Sequence, residues 1–395
     1  MRCARTIGAL RVVLLTVIFG FLTLDLALRF VAPYSSVIRL ALWSPQDHLS
    51  YDHLQDVTDL QAFFPVMPKP FADHAGFILD AHGFRTHPYI TEKSGGTLRL
   101  LTIGDSFTFS SGGVPYEDMW NTRVAESWEK NAGRPVELIN LGIPAAGPHL
   151  ERRVFTIEGN RLSPDLVILG LFVGNDFSDE SYIRPPLERR WIVTRFLHSL
   201  ARIPALLQAR AQARAAAAQP KSDAEPLYRY DEKIPLFSEK IFQNVELDRS
   251  LFFLPSWHDR TEKNIASVAM VLEQLAEEVH ATGAEFLVIV IPDEVQVNDA
   301  LKKDLLMYGT WREFPLTSLD TEGTQKKIVD AFRAKGIETL DLLPPLRTAL
   351  KEGDSPYALR NTHWNVRGNA IAAQSIIEFL AKKWPELLRA DQMMR

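Results

Sequence analysis

Two candidate strands of this sequence end in residues that could take part in acyl-transfer chemistry. Ser106 follows the run LLTIGD, in which Gly104 permits a tight turn, so its hydroxyl would be exposed above a sheet edge as a nucleophile. Backbone N–H groups at such a turn can stabilise an oxyanion. Asn175, in the run LFVGNDFSD, could donate a side-chain N–H to the same oxyanion. On these residues alone, a helix N-cap for Ser106 and an Asx-turn for Asn175 remain open.

A histidine near the C-terminal end could serve as the base for this nucleophile. His363 lies in the run LRNTHWNVRG, just before a helix-like segment. Such a base normally leans on a carboxylate, which fixes the imidazole tautomer and stabilises the imidazolium. Two residues earlier the chain has Asn361, an amide that would also suit a turn before a helix. Three outcomes stay open: slow catalysis, replacement of the missing acid by a carboxylate such as Asp354, or a non-catalytic site.

The loop INLGIPAAGPH after another candidate strand is rich in small residues, which let backbone approach a substrate closely. Asp105, beside Ser106, is expected to order the turn rather than to transfer protons. The ten histidines are scattered without a His-x₃-His pair, and Cys3 is the only cysteine. We therefore expect no metal site and no cofactor, and no intramolecular disulfide can form.

Five apolar runs have the length and composition of buried strands and would position these residues. They span 98–104, 136–142, 165–174, 284–292 and 337–343. Helical patterns span 116–131, 149–160, 262–281, 323–335 and 367–384. Alternation of strands and helices predicts a parallel sheet covered on both faces, hence a three-layer α/β/α domain. The catalytic groups are expected at the C-terminal ends of the strands.

The bulk composition is that of an ordinary globular protein. The chain has 395 residues, 46% of them hydrophobic and 24% charged, which suits one large domain with insertions or two domains. Its net charge of −5 does not favour a nucleic-acid partner.

The N-terminal segment predicts a signal anchor. The uninterrupted apolar run is Val12–Leu24, and residues 7–28 would reach roughly 33 Å as a helix. Arg2 and Arg5 favour a cytoplasmic N-terminus, so the rest of the chain would face the periplasm or the outside of a bacterial inner membrane. A cleaved signal peptide and a buried core helix are the alternatives, although no clean A-x-A site follows the run.

The remaining chain divides by composition. The predicted parts are an anchor at 1–34, an irregular collar at 35–95, and a catalytic domain at 96–390 with a helical insertion at about 178–260. Within the insertion, residues 189–221 contain six arginines and no acid. This stretch could form a basic amphipathic helix on an anionic membrane surface, or a solvated helical insertion broken at Pro204.

Taken together, these blocks resemble the SGNH hydrolases, also called GDSL esterases/lipases. Gly-Asp-Ser at 104–106 matches the first block, Asn175 the third, and His363 the last. The segments HGFRTHPY, GDSFTF, NLGIP and THWN are more narrowly similar to bacterial membrane-anchored members. The His-Trp ending is similar to the SGNH-like O-acetyltransferases that modify exopolysaccharides. The resemblance covers about residues 77–385 and implies a flavodoxin-like SGNH-hydrolase fold.

The sequence departs from the family pattern at two positions. The family's second block usually supplies a glycine N–H, but that slot is Ala145, with Gly147 two residues later. A backbone donor survives this change where φ and ψ tolerate a Cβ. Close relatives carry Asp where this chain has Asn361.

The resemblance implies a membrane-anchored serine esterase in which Ser106 attacks an ester carbonyl and His363 takes its proton. The backbone N–H of Ser106 and one near Ala145 or Gly147 would bind the oxyanion. The side chain of Asn175 would add a third donor. The expected substrate is a small acyl ester, such as acetyl on a cell-envelope glycan. The alternatives are a polysaccharide O-acetyltransferase with the same site, and a non-catalytic carbohydrate-binding scaffold. The oligomeric state stays open.

Overall fold

The computed structural model describes residues 2–31, 68, 70–177, 193–194, 196–197, 230–309 and 316–387. Chain contacts divide the protein into two compact units, one of Met1–Ser44 with Tyr182–Pro226 and one of Pro45–Ser181 with Leu227–Arg395. Most of the arginine-rich stretch, including Pro204, lies outside the described residues.

The first unit contains helix α1, Arg2–Val31. Its part Val12–Val31, with a mean hydropathy of 2.1, is long and apolar enough to cross a membrane. Asp25 is nevertheless 4% exposed. Its carboxylate accepts hydrogen bonds from Arg29 Nε at 2.7 Å and from the backbone N–H of Val193 at 3.0 Å. The charge in the apolar helix is thus satisfied inside this unit.

The second unit is built on a parallel sheet of five strands among its described residues. After a short antiparallel hairpin, β1 (Asp73–His74) and β2 (Phe77–Ile78), the sheet strands are β3 (Leu98–Gly104), β4 (Val136–Asn140), β5 (Leu166–Phe172), β6 (Glu285–Ile291) and β7 (Thr339–Asp341). Their order is β4-β3-β5-β6-β7. All five predicted strands are present. Strand β3 has the predicted bounds, and the other four are shorter than predicted where the chain turns into loops.

Every residue of β3 and β5 is buried, because helices cover both faces of this sheet. One face packs against α3 (Trp120–Ala132), α10 (Leu343–Lys351) and α11 (Val366–Lys383). The other face lies against α4 (Pro148–Ile157), α6 (His258–Ala281) and α9 (Thr321–Ala334). The predicted three-layer, flavodoxin-like α/β/α fold is confirmed.

Several helices were not predicted from the sequence. They are α2 (Ser106–Phe109), α7 (Glu294–Val297), α8 (Asp299–Gly309) and α10. Helix α5 (Glu239–Ser250) lies within the predicted helical insertion, for which no individual helix bounds were predicted. Helices α2 and α7 are single turns, too short for a periodic pattern. Helix α10 reads LPPLRTALK, and its prolines lie in the first turn, where the backbone N–H is not needed.

The collar segment after the hairpin runs along the outer edge of β4. The hydroxyl of Thr86 donates to the carbonyl of Leu138 and accepts from the N–H of Asn140, both at 3.3 Å. These bonds occupy edge groups that would otherwise face solvent, so the collar closes this side of the sheet.

The loop after β4 packs tightly on the turn that carries the nucleophile candidate. A Cβ on Gly142 would lie 2.5 Å from the backbone N of Phe109. We predict that Gly142→Ala lowers the free energy of unfolding by about 1–3 kcal/mol through overpacking against backbone. Thermal unfolding checks this, with Gly95→Ala as the control, since nothing lies within 4 Å of the position of that Cβ. Equal melting temperatures for the two variants would contradict the prediction.

Candidate active site

Ser106 stands where β3 turns into the single-turn helix α2. Gly104 makes the turn at φ +149°, where a Cβ would lie 2.2 Å from Thr108 Oγ1. The N-cap of α2 is Asp105, whose Oδ1 accepts from the N–H of Phe107 at 2.9 Å. The open alternative that Ser106 is the cap therefore falls away, because Asp105 does this and leaves the serine hydroxyl for other contacts.

The Ser106 hydroxyl lies against the imidazole of His363. The distance from Ser106 Oγ to His363 Nε2 is 2.9 Å. On the other side of the ring, Nδ1 is 2.9 Å from the backbone oxygen of Asn361 and 3.1 Å from its Oδ1. Since both Nδ1 neighbours are acceptors, Nδ1 carries the proton and the lone pair of Nε2 faces the serine. This is the tautomer that a general base needs.

The turn that presents Asn361 has an unusual backbone. Arg360 and Thr362 have φ angles of +47° and +64°. A left-handed conformation costs a residue with a Cβ about 1–2 kcal/mol, and it is rare for a β-branched one such as threonine. Such strain clusters at functional sites. Here it turns the backbone oxygen of Asn361 towards the ring that follows.

The carboxylate proposed as a substitute for the missing acid is elsewhere. Asp354 forms an ion pair with Arg367 at 3.1 Å, and its side chain is 54% exposed. Within the described ranges, the hydrogen-bond acceptors at His363 Nδ1 both belong to Asn361. Replacement by Asp354 is therefore excluded in this structure.

Burial controls the electrostatics of the site. It lowers the pKa of His363 to about 4, helped by the positive charge of Arg249 and opposed by the backbone oxygen of Asn361. Burial also raises the pKa of Asp105 to about 6, against the effect of the N–H of Phe107. At neutral pH the imidazole is thus neutral and ready to accept a proton.

The oxyanion candidates lie on three neighbouring segments. The side chain of Asn175, in the loop after β5, hydrogen-bonds to the Asp105 carboxylate. The loop of Ala145 is held against the end of β3 by the N–H of Ile143, which donates to the Gly104 carbonyl at 2.9 Å. Ala145 has φ +61°, a conformation that favours glycine, whereas Gly147 at φ −120° has no such requirement. The question whether the backbone conformation tolerates a Cβ thus concerns Ala145.

Sequence reasoning missed Arg249, which comes from α5 in the predicted insertion. Its Nη1 is 3.3 Å from Glu246 Oε1 and 3.7 Å from Asp293 Oδ2, and its guanidinium lies 4.9 Å from the centre of the Phe172 ring. Burial, with the charge of Asp293, raises the pKa of Glu246 well above its usual range. The Glu246-x-x-Arg249 spacing on a helix was the available signal.

A small cavity adjoins the serine. A cavity of about 10 Å³, close to the size of one water molecule, is lined by Ser106, Phe107, Ser110, Gly112, His363, Trp364 and Asn369. Larger cavities of about 560 and 630 Å³ flank the collar at His87–Tyr89 and include none of the candidate site residues. In the described ranges, no group of three or more His, Cys, Asp or Glu side chains is arranged to hold a metal.

The lowered pKa of His363 makes a testable statement about pH. A base must be neutral to act, and a pKa near 4 keeps His363 neutral far below the usual value of 6.5. We predict that kcat/KM for an ester does not fall between pH 8 and pH 6 through this group, and that it falls tenfold per unit below about pH 4. A pH–rate profile of the full-length protein, limited to the pH range of reversible folding, measures this. A fall in kcat/KM on the acidic side of the profile with a midpoint near pH 6.5 would show that His363 is solvated and far from the charge of Arg249.

Comparisons with known proteins agree with this architecture. Residues 251–394 match the family model of the SGNH hydrolase-like domain of acetyltransferase AlgX. The resemblance expected from the motifs is thus confirmed over this range, which includes Asn361 and His363. No curated protein sequence matches the chain.

Several solved structures are similar at low identity. Axe2, an acetylxylan esterase from Geobacillus stearothermophilus, is 13% identical, with 75% of this chain and 98% of that chain covered and a TM-score of 0.37. The lipase Lip_vut3 from a goat rumen metagenome is 13% identical, with 71% and 96% covered and a TM-score of 0.39. The acetyl xylan esterase AlAXEase is 12% identical, with 72% and 100% covered and a TM-score of 0.38.

Proposed function

Because residues 251–394 match an SGNH hydrolase-like domain, we propose that this protein is a serine esterase or acyltransferase that acts on a small acyl ester. One observation carries the proposal. Ser106, His363 and Asn361 form an unbroken line of contacts of 2.9–3.1 Å, with the imidazole in the tautomer of a base.

In this mechanism, the Ser106 Oγ attacks the ester carbonyl while its proton moves to His363 Nε2. The tetrahedral oxyanion is bound by the backbone N–H of Ser106 and one near Ala145, and by the amide of Asn175. As the tetrahedral intermediate collapses, Nε2 returns the proton to the departing alkoxide, and an acyl-serine remains. Water, or a sugar hydroxyl, then gives its proton to Nε2 and attacks the acyl carbonyl. The bond between the acyl carbon and Ser106 Oγ breaks, and Nε2 returns the proton to Oγ.

Asn361 weakens this mechanism without abolishing it. In serine proteases, changing the triad aspartate to asparagine lowers kcat about 10⁴-fold, chiefly because the tautomer becomes wrong. Here both oxygens of Asn361 accept from Nδ1, so the correct tautomer is kept. Only the counter-charge for the imidazolium is missing, and the expected loss is smaller than 10⁴-fold.

The substrate is proposed to be an acetyl ester on a cell-envelope glycan. The matching family model is that of an acetyltransferase domain, which supports an acetyl group as the acyl part. Helix α1 supports a place at a membrane, since Val12–Val31 could span one. With Arg2 and Arg5 at its cytoplasmic end, the chain would be a single-pass protein of a bacterial inner membrane with its catalytic domain outside.

An O-acetyltransferase of polysaccharide is the second candidate, and the AlgX family model favours it. It would use the same residues but exclude water from the acyl-serine. Acetate release from an activated acetyl ester, measured with and without a polysaccharide acceptor, separates the two. A transferase moves acetyl to the glycan and releases little acetate, whereas a hydrolase releases acetate at the same rate in both.

Covalent labelling tests whether the serine is activated at all. We predict that a fluorophosphonate probe labels the full-length protein in detergent at Ser106, because attack on phosphorus needs the same base and the same oxyanion donors. Labelling should be lost in Ser106→Ala and fall at least tenfold in His363→Ala. A folded wild-type protein that is not labelled and turns over no ester would instead support the carbohydrate-binding scaffold.

The variant Asn361→Asp tests how much catalytic rate is lost because no negative charge lies beside His363. A carboxylate at Nδ1 should raise the pKa of His363 by about 1–3 units and stabilise the imidazolium. We predict that kcat rises about tenfold or more. We also predict that the midpoint of the fall in rate on the acidic side of the pH–rate profile moves to higher pH. Asn361→Ala is the matched control, because it removes the side-chain acceptor without adding charge and should lower kcat. If Asn361→Asp left the midpoint of this fall at the same pH, the side chain at 361 would not be coupled to the imidazole.

A further inference from the structure

We infer that the loop 110–114, held by Arg85, is a positioning device that sets the orientation of the Asn361 amide and thereby the tautomer of His363. This inference rests on the proposed function. It gives the collar a role in the reaction, since Arg85 belongs to the segment that precedes the sheet.

Asn361 must face the ring in one direction only. Its amide has an acceptor side, Oδ1, and a donor side, Nδ2, of almost the same shape. With Oδ1 at His363 Nδ1, the ring proton is on Nδ1 and Nε2 can accept from Ser106. With the amide reversed, its donor side would compete at Nδ1 with the backbone oxygen of Asn361, which lies 2.9 Å away. Part of the population would then carry the proton on Nε2 and could not act as the base. A carboxylate has no such ambiguity, so the orientation matters because this chain has Asn361.

The loop supplies the group that distinguishes the two orientations. Asn361 Nδ2 donates to the backbone oxygen of Gly112 at 3.4 Å. In the reversed orientation, Oδ1 would face that oxygen, and two acceptors would repel each other in a buried site. The contact of 3.4 Å is long, so it is not a strong hydrogen bond. Its contribution is to favour one orientation of the amide over the other.

Arg85 fixes the loop that carries Gly112. Its side chain is fully buried, and Nη1 and Nη2 donate to the carbonyls of Ser110 at 3.1 Å and Val114 at 2.8 Å. These two carbonyls flank Gly112 on either side. The backbone between them is irregular, with φ +63° at Ser110 and +80° at Gly113. A planar guanidinium that binds both ends holds such a loop in one conformation.

The position of Gly112 also lies close to the base. A Cβ at this position would lie 2.9 Å from the Cβ of His363 and 3.4 Å from the oxygen of Trp364. The loop can therefore approach the histidine this closely only with glycine at 112. Arg85, Gly112, Asn361 and His363 thus form one continuous set of contacts from the collar to the nucleophile.

The test reads the tautomer directly, by the ¹⁵N chemical shifts of His363 in the full-length protein labelled with ¹⁵N-histidine. The His363 signals are assigned by comparison with His363→Gln. In the wild type at pH 7 we expect the Nδ1–H tautomer. Arg85→Lys keeps the charge but cannot bridge both carbonyls, so we expect a mixture of tautomers and a loss in kcat of about tenfold, with KM changed less than twofold.

Arg99→Lys is the matched control. Arg99 is also fully buried and donates to backbone carbonyls, those of Ile90 and Thr91 at 3.0 Å. It lies near the start of β3, at the opposite end of the strand from Ser106. We expect Arg99→Lys to lower stability and to leave the His363 tautomer unchanged. An unchanged tautomer in folded Arg85→Lys, or the same change in both variants, would overturn the inference.

A double-mutant cycle separates orientation from general destabilisation. In the Asn361→Asp background both sides of the group at 361 are acceptors, so the effect of Arg85→Lys on kcat should shrink from about tenfold to less than threefold. Multiplicative effects would mean that Arg85 does not act through Asn361. If Arg85→Lys does not fold, Arg85→Gln, which can bind only one of the two carbonyls, replaces it in both experiments with the same expectation.

The tautomer measurement also keeps this inference apart from the proposed function. Absence of Ser106-dependent ester turnover in the wild type would contradict the proposed function, while the ¹⁵N shifts of His363 would still report whether Arg85 sets the tautomer.

Discussion

The hydrogen bond between Ser106 Oγ and His363 Nε2 joins two residues that are 257 positions apart in the chain, and most of the fold serves to make it. The nucleophile follows β3, in the interior of the sheet, and the histidine precedes the helix that closes the domain. Phe107, directly after the serine, packs against His363 and Trp364 with ring centres 5.1 Å apart in each case. The apolar core therefore extends to the reacting groups, which accounts for the burial and the low pKa of the imidazole.

The sheet and the chemistry-bearing side chains could be predicted because each leaves a local signal. Buried parallel strands are almost continuously apolar, as in β5 and β6, and so stand out from their surroundings. Ser106 and Asn175 were found because each follows such a strand, and His363 because it precedes a long helix. In the same way, the absence of a carboxylate at position 361 can be seen from the sequence once His363 is considered a base.

The contacts that give these residues their properties could not be predicted, because they depend on long-range geometry. Asp354 is close to His363 in sequence, yet its side chain points to solvent and pairs with Arg367. Arg249 lies more than a hundred positions from His363 and still lowers the pKa of its imidazole. Which of Asp105 and Ser106 caps α2 depends on a shift of one residue in a turn, a difference that residue types alone do not settle.

The buried carboxylate of Asp25 has a consequence for how the chain is made. Its partner, the backbone N–H of Val193, is 168 residues further along the chain. At about 5–20 residues per second, a ribosome reaches that residue on the order of ten seconds or more after Asp25. A nascent α1 entering a bilayer during that interval would hold the carboxylate without its later partner. Arg29, one helical turn away at 2.7 Å, can neutralise it from the same helix. Until the segment that contains Val193 has been synthesised, Arg29 would thus be the partner that neutralises the charge of Asp25.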